Sequence, residues 1–348
     1  MIVSRRGSAA SYQKEKVAML MSRVIASAVA ALALAVSGTA AASASEHSAM
    51  STHLHVWATV TVGNSPVAVA VNPRTGAVYV ANGNDTVSVI NGYTNTVETT
   101  VTIPGAPTGI AVDPATDTVY VANGMKSDIA VINGYTNTVE TTIPATAGSF
   151  GIAVNPRTDT IYANNPHTDT VAAINGYTNT VETTVTVGNA PLAVAVNPFT
   201  DNVYAVNAND GTVSVINGRT GTVTATVAVP GSGLLEAVAV NPLTGMVYAV
   251  DGINNDVAVI NGYTNTVEAT IPVAASPGWD AVNPLTDTVY VASGFADGTA
   301  EAINGRTNTV EATVTVGNTP LAVAVNPLTG NVYVTNEGGD TVSVLSPW

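Results

Sequence analysis

From Pro66 to Ile103 the chain falls into four short runs in which apolar and polar positions alternate: PVAVAV, AVYVAN, TVSVIN and TVETTVTI. Val, Ile, Thr and Tyr dominate them, and such side chains pack well on a pleated surface, so each run predicts a β-strand. Asn-Pro, Gly-Asn-Asp and Asn-Gly-Tyr-Thr-Asn separate the runs and predict turns, because Asn and Gly tolerate positive φ and Pro cannot continue a ladder. In the Asn-Gly turns, Asn-Gly is expected to supply the positive φ of a tight turn, with Tyr or Arg covering it; the functional alternative is a repeated carbohydrate- or polymer-binding ring that uses Tyr faces. No helical periodicity of any length appears beyond the N-terminal region.

The four-run unit recurs to the end of the chain. The Asn-Pro step (once Asp-Pro) places proline at 73, 114, 156, 198, 242, 284 and 327, and a tyrosine follows six residues later each time. The tyrosines are separated by 41 to 44 residues, giving seven copies of a unit with the length and strand content of a propeller blade. The seventh copy contains three runs only. Its missing fourth sits at the other end of the repeat region, where VWATVTVGNSP (Val56 to Pro66) aligns with VETTVTIPGAP (Val97 to Pro107). The expected fold is therefore all-β: a seven-bladed β-propeller of four-stranded antiparallel blades over residues 54–348, closed by an N-terminal strand that completes the last blade.

Tyr-Val-Ala-Asn at 79–82 and 120–123 and Tyr-Val-Thr-Asn at 333–336 occupy the second run. With the upstream Pro-x-(Ala/Gly)-Val-Ala-Val-Asn-Pro and the downstream Thr-Val-Ser-Val-Ile, they resemble the YVTN β-propeller repeat family of secreted and surface-layer proteins. The resemblance covers nearly the whole region after the N-terminal segment. It implies a propeller and leaves the activity open, because one fold hosts unrelated functions.

The N-terminal region departs from the pattern. Arg23 precedes an apolar run from Val24 to Val36, then small residues and Ala42-Ser43-Ala44. A basic start, a short apolar core and an A-x-A site predict an export signal over 1–44, cleaved after Ala44, with 45–53 as a flexible lead. The run is short for a bilayer span, so no membrane span is expected after cleavage. Cleavage removes five of the 10 basic and one of the 24 acidic residues, leaving a net charge of −18. Such a surface repels nucleic acid. The chain has no cysteine, which excludes disulfides, thiolate metal sites and covalent haem. Location outside the cytoplasm (secreted, on the cell surface, or periplasmic) and a monomeric state are expected.

Strand order sorts the loops onto two faces. The Asn-Pro and Asn-Gly turns share one face, which is nearly uniform from blade to blade and carries Tyr93, Tyr135, Tyr177 and Tyr263, with Arg219 and Arg306 at the equivalent position. The opposite rim varies: GNDT, GMKSD, NPHTD, ANDGT, GINND, GFADGT and EGGDT. Variable loops on a regular scaffold are where sheet proteins carry binding sites. Asp85, Asp128, Asp169, Asp210, Asp256, Asp297 and Asp340 on this rim would suit Ca²⁺, but no loop has the dense D-x-D-x-D spacing, so Asx-turns are expected and no cofactor is assigned.

The first run predicts the innermost strand, and its exceptions give candidate ligand-binding residues. Blade six replaces the usual Ala-Val with Trp279-Asp280, and blade five has Glu236 where other blades have Val67, Thr108, Leu192 or Leu321. Glu236, Trp279 and Asp280 would lie at the channel mouth of adjacent blades, a usual place for a concave site. His47, His53, His55 and His167 form no ligand cluster in the sequence, and neither a nucleophile elbow nor a phosphate loop is present, so no catalytic residue is assigned. The expected function is that of an exported, non-enzymatic scaffold that binds a protein, glycan or cell-envelope component through its variable rim. The alternatives are a lactonase- or lyase-like enzyme at the channel mouth and a self-assembling surface-layer component.

Overall fold

The computed structural model describes residues 54–346 apart from 145–149 and 295–297. The expected signal and lead lie outside the described residues, as does Asp297. The described residues form 28 strands, grouped into seven separate four-stranded antiparallel sheets. Blade 1 consists of β2 (Pro66–Val71), β3 (Ala77–Asn82), β4 (Thr86–Asn91) and β5 (Thr96–Thr102). Blades 2 to 6 follow in the same order over 107–144, 152–186, 191–228, 235–272 and 277–315. Blade 7 takes β26 (Pro320–Val325), β27 (Val332–Asn336) and β28 (Thr341–Ser346) from the C-terminal end and β1 (His55–Thr61) from the other. β1 pairs antiparallel with β28, from His55 opposite Ser346 to Thr61 opposite Thr341, so the ring is closed by the pairing expected from the sequence.

Innermost strands of successive blades touch all the way round, including β2 with β26. These strands are buried almost throughout, with Thr108 half-buried, whereas outermost strands such as β5 are mostly exposed. Small Ala and Val side chains suit the crowded centre, where the blades taper. Tyr79, Tyr120, Tyr204, Tyr248 and Tyr333 on the second strands are fully buried, and blade 6 places the still larger Trp279 on its innermost strand.

The repeated tyrosine ties blade to blade. Tyr79 Oη donates to the Gly134 carbonyl of blade 2 at 3.4 Å, and Tyr333 Oη to the Gly92 carbonyl of blade 1 at 3.4 Å. Crowding, and not the backbone conformation, requires glycine in the Asn-Gly turns: a Cβ would meet the Gly76 carbonyl at Gly92, and Asp117 or Asp159 at Gly134 or Gly176. The positive φ expected of the Asn-Gly step falls three residues beyond the glycine, at Asn95, Asn137, Asn179, Asn265 and Asn308. Gly92 instead lies so close to its neighbours that a Cβ there would sit 2.7 Å from Tyr333 Oη.

A second tie runs beneath the tyrosine. The Asn of Asn-Pro donates from Nδ2 to an aspartate of the following blade: Asn72 to Asp117 at 2.6 Å, Asn155 to Asp201 at 2.7 Å and Asn241 to Asp287 at 2.7 Å. Blade 2 has Asp113 in place of Asn, and it faces Asp159 of blade 3.

Candidate functional site

On the variable rim, several of the aspartates proposed from the sequence have a structural task. Asp85 Oδ1 accepts from the Ala106 amide at 2.9 Å, Asp169 Oδ1 from Ala190 at 2.8 Å and Asp340 Oδ1 from Ser65 at 2.8 Å. Each acceptor lies in the loop between the second and third strands. Each donor lies in the loop that carries the chain to the next blade, at a residue with φ near +50°. The carboxylate thus steadies a strained backbone position, and two backbone donors hold Asp85 below its usual titration range. Asp210 Oδ2 accepts from the Asn189 amide at 2.7 Å, and Asp128 Oδ1 from Asn123 Nδ2 at 2.6 Å. Asp256 lies near Asp251 and is raised, chiefly by burial. Among the described residues no three His, Asp or Glu side chains converge as metal ligands.

Met125, Lys126, His167 and Ile253 occupy the same rim and do not repeat from blade to blade. Met125 and Ile253 are exposed, and His167 lies 6.0 Å, centroid to centroid, from the Phe150 ring.

The three channel-mouth candidates come from adjacent blades and are all buried. Glu236 is 8% exposed, Trp279 1% and Asp280 0%. Glu236 belongs to β18 (Leu235–Val240) and replaces an apolar residue in a ring otherwise formed by Val67, Thr108, Phe150, Leu192, Gly278 and Leu321. Its carboxylate lies against Gly252 of its own blade, where a Cβ would collide with it. Asp280, on β22 (Pro277–Asn283), leans toward blade 5, beside the Ala239 amide and near Tyr248. Burial outweighs that nearby amide and its own, and pushes the Asp280 carboxyl well above its ordinary range. Neither Asp280 oxygen nor Trp279 Nε1 has a well-formed hydrogen bond. The structure therefore brings the three into neighbouring blades without linking Trp279 or Asp280 to Glu236 by a hydrogen bond.

Sequence reasoning passed over Glu301. In blades 1, 4 and 7 an asparagine at the end of the second strand and a serine in the third hold the loop from the preceding strand; Asn207 Oδ1 accepts from the Gly188 amide at 3.1 Å, and its Nδ2 donates to Ser214 Oγ at 2.9 Å. Blade 6 has Ser293 and Glu301 at these positions. Glu301 Oε2 accepts the corresponding amide, that of Ala274, at 2.7 Å. The signal was available, since Glu301 is the one charged residue at a position that reads Ser or Ala in the other six blades.

The turn face, uniform in sequence, is not uniform in structure. Each turn is held by its asparagine: Asn91 Oδ1 accepts from the Tyr93 and Thr94 amides at 2.9 and 3.2 Å, and Asn91 Nδ2 donates to Glu98 at 2.7 Å. In blades 1 and 5 the tyrosine lies over the glycine of the neighbouring turn, Tyr93 on Gly76 and Tyr263 on Gly245, and is 66% and 65% exposed. Blades 2 and 3 have Asp117 and Asp159 at that glycine's position, and Tyr135 and Tyr177 stand 89% and 90% exposed. Tyr covers its turn only where glycine leaves room for it.

No family model matches the chain, and no curated protein matches it. Among solved structures, a chain of Kuenenia stuttgartiensis hydrazine synthase is similar, with a TM-score of 0.73 over 80% of this chain and 95% of that one, at 16% sequence identity. A likeness at this identity speaks to the fold alone. Seven four-stranded blades in a closed ring, similar in shape to a solved β-propeller, make this chain a seven-bladed all-β propeller.

Proposed function

We propose that the protein is an exported, non-enzymatic scaffold of the YVTN β-propeller type that binds a protein, glycan or cell-envelope component through its variable rim. One observation carries this reading. The rim aspartates that recur fix the loop backbones, while the residues that differ, Met125, Lys126, His167 and Ile253, are spare for recognition. A stiff frame bearing changeable side chains lowers the ordering cost of binding.

Export rests on the N-terminal pattern of Arg23, the apolar run and Ala42-Ser43-Ala44. No helix among the described residues is long and apolar enough to cross a membrane. The enzymatic alternative would need Glu236 and Asp280 open to a substrate, and their burial weighs against it.

The test compares the protein with a Met125→Ser/Lys126→Ser/Ile253→Ser variant for retention on cell-wall sacculi and on immobilised exported proteins. Retention of the parent and loss by the variant, with unchanged melting temperature, is the expected outcome. Equal retention of both would remove the rim from the reading.

A further inference from the structure

The turn face, opposite the rim, carries eight large exposed apolar or aromatic side chains: four tyrosines, then Phe199, Leu243, Leu285 and Leu328. Three of them have a local explanation. Tyr93 and Tyr263 cover glycines, and Phe199 lies beneath the Arg157 guanidinium, whose carbon is 5.5 Å from the ring centre. Tyr135 and Tyr177 have none. They occupy the same position on neighbouring blades, nearly free of the protein, on turns whose backbones are fixed. Asn133 Oδ1 accepts from the Tyr135 and Thr136 amides, both at 3.0 Å, and Asn175 Oδ1 from the Thr178 amide at 2.9 Å. A rigid backbone presenting a bare ring gives a stacking surface at little entropic cost, because tyrosine has few rotamers to lose.

The groups around the two rings select the partner. Glu140 and Glu182 accept from Asn133 and Asn175 Nδ2 at 2.7 and 2.8 Å and keep further acceptor capacity. Threonine hydroxyls pair beside each ring, Thr136 with Thr138 at 2.8 Å and Thr178 with Thr180 at 2.7 Å. Among the arginines of this face, Arg74 Nη1 donates to the Pro114 carbonyl at 3.0 Å and Arg157 sits on Phe199, while Arg219 and Arg306 take the tyrosine's position in blades 4 and 6. Carboxylates, amides and hydroxyls around aromatic faces repel a polyanion or an acidic lipid surface and suit a chain of uncharged hydroxyl groups with apolar C–H faces.

We propose that Tyr135 and Tyr177 form a two-ring stacking platform for a neutral polysaccharide, each ring taking the C–H face of one sugar while Glu140 and Glu182 accept from its hydroxyls. This site is on the opposite face from the rim, so its failure leaves the rim reading standing, and the reverse holds.

Affinity electrophoresis through gels containing soluble β-glucan, xylan or mannan reads the proposal directly, with polygalacturonate as the anionic control. The protein should be retarded by at least one neutral polymer and not by polygalacturonate. Tyr135→Ala/Tyr177→Ala should abolish the retardation, with an apparent affinity at least tenfold lower, while Tyr135→Phe/Tyr177→Phe and Tyr93→Ala keep it. Melting curves confirm that the variants fold, and these exposed turn positions give no reason for them not to. Absence of retardation by all three neutral polymers would overturn the proposal. So would retardation that survives the double alanine variant, retardation by polygalacturonate alone, or tyrosine-dependent sedimentation with phosphatidylcholine vesicles.

Discussion

Asp113 shows how much one atom matters when a residue recurs. In three blades the amide nitrogen of Asn72, Asn155 or Asn241 donates a hydrogen bond to the next blade's aspartate. Asp113 has an oxygen there, facing Asp159, and Asp113 Oδ2 and Asp159 Oδ1 are buried without a partner unless a proton lies between the carboxyls. Burial raises both groups first, and the neighbouring carboxyl raises Asp159 further. A carboxyl whose folded titration lies above its unfolded value favours folding when protonated. The resulting stability is present below the ordinary aspartate range and lost as pH rises through the raised folded value. Asp113→Asn restores the amide donor found in the other blades. It should stabilise the protein at pH 7 by about 1.5 kcal/mol, the scale of a hydrogen bond to a charged group. It should also flatten the decline in stability above the ordinary aspartate range, although the buried carboxyl of Asp280 contributes a decline of the same sign. Urea midpoints of both proteins from that range upward measure the difference. An identical pH profile in the variant would mean that the two carboxyls share no proton.

At the scale of the blade, the sequence exposes the strand plan and hides the wiring. Alternation in runs such as TVETTVT and the spacing of Asn-Pro and Tyr are enough to number the strands, because strand pattern and turn chemistry are local properties. The reason for glycine in Asn-Gly is not local: a Cβ there would meet the Asn-Pro turn of its own blade and, at Gly92, also a tyrosine hydroxyl of the preceding blade. For the same reason Glu236, Trp279 and Asp280 stood out as exceptions without their burial being legible, and Glu301 was missed although it holds the Ala274 amide. Tyr135 and Tyr93 are identical in sequence context and differ because of an aspartate or a glycine in a turn they do not adjoin in sequence. Glu301→Ala should cost about 1–3 kcal/mol, since it strands a half-buried backbone donor. Rebuilding the ordinary arrangement with Ser293→Asn and Glu301→Ser should recover most of the loss. A double-mutant cycle in chemical denaturation checks this, and additive effects of the two substitutions would rule out the exchange.

For the whole molecule, the ring depends on a contact between the first and last strands. β1 and β28 align over six residue pairs, and without β1 the β28 edge would offer its ladder groups to another chain. A circular permutant that starts at Pro66 and carries residues 55–61 after Ser346, joined by an Asn-Gly-Tyr-Thr-Asn turn, should melt within a few degrees of the parent. Removing residues 1–61 outright should lower the melting temperature and promote association, both visible by circular dichroism and light scattering. An unchanged melt after the deletion would show that the closing strand adds nothing. The same pairing governs how the ring answers a pull. His55 lies opposite Ser346, so both chain ends leave the β1–β28 pair at the same point. Force applied between them loads the bonds of this ladder one at a time, from His55 toward Thr61, instead of sharing the load among all of them. Bonds strained singly give way at low tension whatever their summed free energy, so the seam that completes the circle is also where it tears.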